Sequence, residues 1–143
     1  MRDRVILMVG LYDTLDIFTY ELKKEFEKIG LEVMIFNSQD MEGSMIKLSE
    51  FIKEPVKAVV TFNNLGFNME LIKGQNIWEQ LQIPCINILM DHPFIHKKAL
   101  DNAPANAVVI YPGLVPPFYN SRHLWLFPYN NHSYTYVAFV QYS

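Results

Sequence analysis

Hydrophobic and polar positions follow two rhythms along this chain. Mostly apolar segments of five or six residues occur at residues 5–9 (VILMV), 31–36 (LEVMIF), 57–62 (KAVVTF), 85–90 (CINILM) and 107–111 (AVVIY). Runs of that length, rich in β-branched residues and bounded by turn formers, read as strands buried on both faces. Between them the apolar residues recur at helical spacing. Leu15, Phe18, Leu22, Phe26 and Ile29 form one stripe behind Asp13, a capping residue, and Gly30 closes the helix as its C′ residue. Ile46, Leu48, Phe51 and Ile52 mark a second helix ended by Glu54-Pro55. Residues 71–81, interrupted by Gly74, carry Ile77, Trp78 and Leu81 on one face of a third. Pro93 suits the first position of a short helix reaching Leu100.

Strand alternating with helix, with connections too long for hairpins, implies parallel βαβ units and an α/β fold: a Rossmann-like parallel sheet of about five strands with flanking helices. The expected strand order is 3-2-1-4-5. In that order the winding reverses between the first and fourth strands. The ligand crevice is then expected between residues 10–13 and 91–93, with residues 63–66 close by.

The chemistry-bearing residues sit at those strand ends. The fourth apolar run stops abruptly in Asp91-His92-Pro93. A carboxylate and an imidazole at a strand end suit a general base or a ligand for a substrate hydroxyl, so Asp91 and His92 are the candidate catalytic residues. The plainer role for Asp91 is to cap the helix that follows. Asn63, Asn64 and Gly66 end the third strand. They are turn formers, and their amides also suit hydrogen bonds to sugar hydroxyls or a carboxylate. Gly10, Tyr12 and Asp13 complete the candidate binding set at the end of the first strand. The segment Gly10-Leu11-Tyr12-Asp13 is neither a GxGxxG fingerprint nor a Walker loop, which argues against dinucleotide and nucleoside-triphosphate binding by those motifs. A phosphorelay receiver would end its third strand in an aspartate; here Thr61-Phe62-Asn63 stands there. His92 and His96 are spaced i, i+4, but without a defined third ligand beyond Asp91 they do not specify a metal site, and none is expected.

Composition narrows the class. At 143 residues the chain is one domain long; half of it is hydrophobic and 19% charged, as suits a globular core. A net charge of -3, with no basic cluster interleaved with aromatics, excludes an electrostatic footprint for nucleic acid. No apolar run approaches the roughly 20 residues of a membrane span, and the five apolar residues before Gly10 make no signal peptide. The single cysteine, Cys85, lies inside an apolar run and reads as a buried, inert thiol. A cytoplasmic location is the expectation.

The last segment differs in character. Residues 1–111 form the Rossmann-like domain, whereas between Pro112 and Ser143 Arg122 is the sole Asp, Glu, Lys or Arg, and Tyr, Phe and Trp are dense. Residues 134–142 (YTYVAFVQY) read as one strand after a turn at residues 130–133. Three readings stand: a β extension covering an edge of the sheet, an aromatic surface for a partner, a sugar or self-association, or a non-native stretch such as a shifted reading frame yields.

The segments KAVVTFNNLGFN (57–68), Trp78, IPCINILMDHPF (83–94) and NAVVIYP (106–112) together resemble the N-terminal domain of bacterial GT-B glycosyltransferase-like proteins, the spore-maturation (CgeB-type) group related to glycosyltransferase families 1 and 4. The resemblance covers residues 5–112. It implies an acceptor-side half domain that holds a sugar or glycan acceptor. It also implies a nucleotide-sugar donor held by a second Rossmann-like domain, with no cofactor bound by this half itself. The aromatic segment stands where the family continues toward the donor domain, so the half domain is expected to be inactive alone, since transfer needs donor and acceptor held together. The rival expectation is a non-catalytic α/β module that binds a partner or a small ligand.

Overall fold

The computed structural model describes residues 1–91, 93–111, 125–128 and 136–139. Its elements in chain order are β1 (Arg4–Val9), α1 (Asp13–Lys28), β2 (Glu32–Asn37), α2 (Met41–Phe51), β3 (Ala58–Phe62), the hairpin strands β4 (Glu70–Ile72) and β5 (Gln75–Asn76), α3 (Ile77–Gln80), β6 (Cys85–Ile88), a 3-10 turn (Pro93–His96), α4 (Lys97–Asp101), β7 (Ala107–Tyr111), β8 (Trp125–Pro128) and β9 (Tyr136–Phe139).

Five strands, β2-β1-β3-β6-β7, form a parallel sheet flanked by helices, a Rossmann-like half-fold. Past β7 the same sheet continues into β9, parallel to β7, and β8, antiparallel to β9.

Numbering the five parallel strands in chain order gives 2-1-3-4-5 rather than 3-2-1-4-5. It is β3 that pairs with β1, through Val5–Ala58, Ile6–Val59 and Leu7–Val60. The burial of the two strands explains the difference. The first four residues of β3, AVVT, are all buried, as a strand between two neighbours requires, whereas β2 begins with exposed Glu32 and is only alternately buried, the pattern of an edge. The winding therefore reverses between β1 and β3, and β3 stands between the β1 loop and the β6 loop.

Successive side chains of a strand face opposite sides of the sheet. Ile6 and Met8 of β1, Val59 of β3, Cys85 of β6, then Leu89 just past its end, and Val109 of β7 join Leu48 and Phe51 of α2, Ile77 and Trp78 of α3, and Leu100 of α4 in one buried cluster. The other side carries α1, whose Phe18 ring lies 6.3 Å from that of Phe62. Of the expected α1 stripe Leu15 is buried, Leu22 and Phe26 are half-buried, and Phe18 and Ile29 are exposed. Asp13 is the first helical residue rather than the cap. Tyr12 occupies the N-cap position without a side-chain bond, and Asp16 instead accepts from the Gly10 N–H at 3.0 Å.

The helix expected over 71–81 is a hairpin followed by one short helix. Gly74, at φ +82°, makes the turn between β4 and β5, and Asn76 then caps α3 by accepting from the Trp78 N–H at 2.9 Å. Trp78 is buried, and its indole N–H donates to the Gly66 carbonyl at 2.7 Å, fastening the loop after β3 to the core.

Candidate functional site

Where β3 and β6 end side by side, their loops exchange a set of polar contacts. The chain leaves β3 through two non-glycine residues with positive φ, Asn63 at 46° and Asn64 at 66°, followed by Gly66 at 68°. Asparagine tolerates this region better than most residues, yet two in succession hold backbone strain that the surroundings must offset. The offset comes from hydrogen bonds. The Asn63 N–H donates to the Ile88 carbonyl at 3.0 Å. Asn63 Oδ1 accepts from the Met90 N–H at 2.8 Å, and its Nδ2 donates to Asp91 Oδ2 at 3.0 Å.

The second arm starts in the strand itself. Asn87 of β6 is fully buried; its Oδ1 accepts from the Asn64 N–H at 3.0 Å and its Nδ2 donates to Asn64 Oδ1 at 2.7 Å. Asn64 Nδ2 in turn lies 2.6 Å from His96 Nδ1. The far nitrogen of that ring, Nε2, is buried, has no hydrogen-bond partner among the described residues, and stands 3.8 Å from Asp91 Oδ2. Two arms, one from each asparagine, thus converge on one rim carboxylate whose side chain is 58% exposed.

Beside this corner an open cleft of about 670 Å³ lies between the β4–β5 hairpin and α4. Asn64 and His96 line it together with Asn68, Glu79, Lys98 and Asn102. Several of these polar groups are already engaged: Asn68 Nδ2 donates to the Asn102 carbonyl at 2.7 Å, and Glu79 Oε1 accepts from the Ala105 N–H at 2.7 Å.

The expected site residues divide into two groups. Asn63, Asn64 and Asp91 belong to the converging network. Gly10, Tyr12 and Asp13 do not, because β3 separates the β1 loop from the β6 loop. Gly10, at φ +111°, packs instead against the end of β2, where a Cβ on it would meet Asn37 Oδ1 at 2.5 Å. Tyr12 and Asp13 are exposed at the start of α1. Gly66 seals the seam with β1, since a Cβ there would stand 2.2 Å from Met8 Cε. His92 lies outside the described residues.

Two members of the network were not among the candidate site residues. Asn87 had a visible signal, an amide inside the apolar run CINIL; a polar group there must find partners if the run is buried. His96 appears in sequence only as a spacing from His92, and nothing local points it toward Asn64. Among the described residues no three His, Cys, Asp or Glu converge as metal ligands, and no helix is long and apolar enough to cross a membrane. Cys85 is buried, and desolvation pushes its thiol pKa far up, so it stays protonated and unreactive in the folded chain.

Comparison with known proteins found no matching family model, no matching curated protein and no matching solved structure.

Proposed function

We propose that this chain is the acceptor-side module of a glycosyltransferase-like protein, which holds a hydroxyl-bearing ligand, a sugar or glycan, at the rim where β3 and β6 end. The observation that carries the reading is the convergence of Asn63 and His96 on Asp91 at the C-terminal edge of a parallel sheet, the edge at which open α/β sheets bind ligands. An exposed carboxylate with one oxygen already held by an amide is suited to accept a hydrogen bond from a ligand hydroxyl.

In a complete transfer the acceptor oxygen would bond to the anomeric carbon of a nucleotide sugar. The bond to the diphosphate would break, its electron pair leaving with the nucleoside diphosphate, and the hydroxyl proton would pass to Asp91 if the reaction inverts. That step needs a donor-binding domain in addition to this module, because donor and acceptor must be held together.

Titration of the full chain with free hexoses, short glycans and nucleotides, followed by thermal shift and ligand-observed NMR, tests the reading. A sugar is expected to bind, and Asp91→Asn is expected to weaken it about tenfold, the cost of one charge-assisted hydrogen bond. A response to nucleotides alone, or sugar binding indifferent to Asp91→Asn, overturns it.

A further inference from the structure

We infer that His96 is a positioning residue, locked as the Nε2–H tautomer by a chain of amides that begins inside β6, and that this N–H is aimed at Asp91. The inference rests on the proposed function only for what Asp91 does to a ligand; the tautomer stands without it.

The lock follows from donor and acceptor bookkeeping, starting at a backbone group whose identity is not in question. The Asn64 N–H can only donate, so the Asn87 atom facing it at 3.0 Å is the carbonyl oxygen. The other side-chain atom of Asn87 is then the NH2 group, and the Asn64 atom it meets at 2.7 Å must be an acceptor, Oδ1. That leaves the Asn64 NH2 facing the imidazole at 2.6 Å, so His96 Nδ1 accepts and carries no proton. A neutral imidazole has one N–H, and here it falls on Nε2.

The same logic fixes the second arm, because the Met90 N–H requires Asn63 Oδ1 and turns the Asn63 NH2 toward Asp91 Oδ2. Nε2–H is therefore a buried donor without a partner among the described residues, 3.8 Å from a carboxylate oxygen. A closure of roughly 1 Å brings it to charge-assisted hydrogen-bond distance. Oδ2 would then have two donors, and Oδ1, which has none among the described residues, is left for a ligand. In this arrangement His96 cannot serve as a base: Nδ1 is occupied and Nε2 already bears its proton.

The test needs no ligand. Two-bond proton–nitrogen NMR of the labelled full chain at about pH 8, where an ordinary imidazole is neutral, reads the tautomer of each histidine, with His96→Gln assigning the signal. His96 is expected as Nε2–H. Asn64→Asp retains an acceptor for Asn87 but presents a carboxylate to the ring, and is expected to place a proton on Nδ1. Asp91→Asn, at the exposed rim and without effect on the amide chain, is expected to keep the tautomer and move the Nε2–H resonance. A wild-type Nδ1–H tautomer, an Asn64→Asp ring unchanged from wild type, or an Nε2–H signal indifferent to Asp91→Asn each overturns the inference. Should Asn64→Asp fail to fold, the wild-type and Asp91→Asn spectra still decide it. Loss of sugar binding with these spectra as expected would refute the proposed function and leave the lock standing.

Discussion

At one rim of the sheet, the corner after β1 and the corner between β3 and β6 are built from different materials. After β1 the chain turns through Gly10, whose bare Cα lets the Asn37 and Ser38 side chains approach and whose N–H is taken by the Asp16 carboxylate. Leu11, Tyr12 and Asp13, which follow it, are exposed. Between β3 and β6 the turn is made by two asparagines at positive φ, whose side-chain NH2 groups face Asp91 and His96. The topological switch point lies at the first corner, between β1 and β3, but the convergent polar groups lie one strand over. A crevice rule based on winding gives the edge on which to look; side-chain satisfaction decides where along that edge the chemistry is.

Gly66 packs the loop after β3 against Met8 of β1 and carries the largest expected effect. Gly66→Ala forces a Cβ into a left-handed backbone at +68° and against Met8 Cε, which is itself fully buried. Strain and overpacking together are expected to cost about 3 kcal/mol in urea unfolding. A cost below about 1 kcal/mol would mean that the seam between the loop after β3 and Met8 is loose.

Asn87→Leu separates the corners. The substitution keeps the branched outline of the side chain, with somewhat more bulk, but leaves the Asn64 N–H and Oδ1 without their buried partner. The orphaned groups, partly offset by the apolar gain, give an expected loss of about 2 kcal/mol. Cys85, two residues along β6 and held protonated by burial, reports the same loss: its alkylation in native buffer is expected to rise about thirtyfold as the closed state loses that stability. Amide exchange at Gly10 should follow only the global change, with no added local opening. Local opening at Gly10 would show that the two corners are one network.

Most of the fold could be read from the sequence because burial writes itself into apolar runs. The five parallel strands, the Gly30 helix end and the buried Cys85 all rest on local pattern. Strand order did not follow, since it depends on which strand tolerates an open edge. That information was present as the contrast between LEVMIF, with its glutamate, and KAVVTF, but it is a contrast between distant segments. The hairpin at β4–β5 was hidden because Ile77, Trp78 and Leu81 have helical spacing while Gly74 and Asn76 set the backbone. At the site, Asn63, Asn64 and Asp91 were legible as polar residues at strand ends. His96 was not, because its partners come from β3 and β6 through a contact no sequence spacing encodes.

The smallest effect tests the isolation of the first corner. Asp16 sits in the first turn of α1, and its two oxygens lie 3.0 and 3.2 Å from the Gly10 N–H. Asp16→Asn retains a carbonyl oxygen for that N–H but removes the negative charge from the positive end of the helix dipole. An expected loss of about 0.5 kcal/mol follows, largest at low salt. Because the Asn37–Ser38 side of Gly10 and the Asn64–His96 chain share no hydrogen bond, the His96 tautomer should be untouched by this change, whereas Asn87→Leu, acting on the other corner, should release it. If Asp16→Asn moved the His96 ring signals, the charge at the start of α1 would have to be felt across β3, and the rim would have to be treated as one electrostatic unit instead of two adjoining corners.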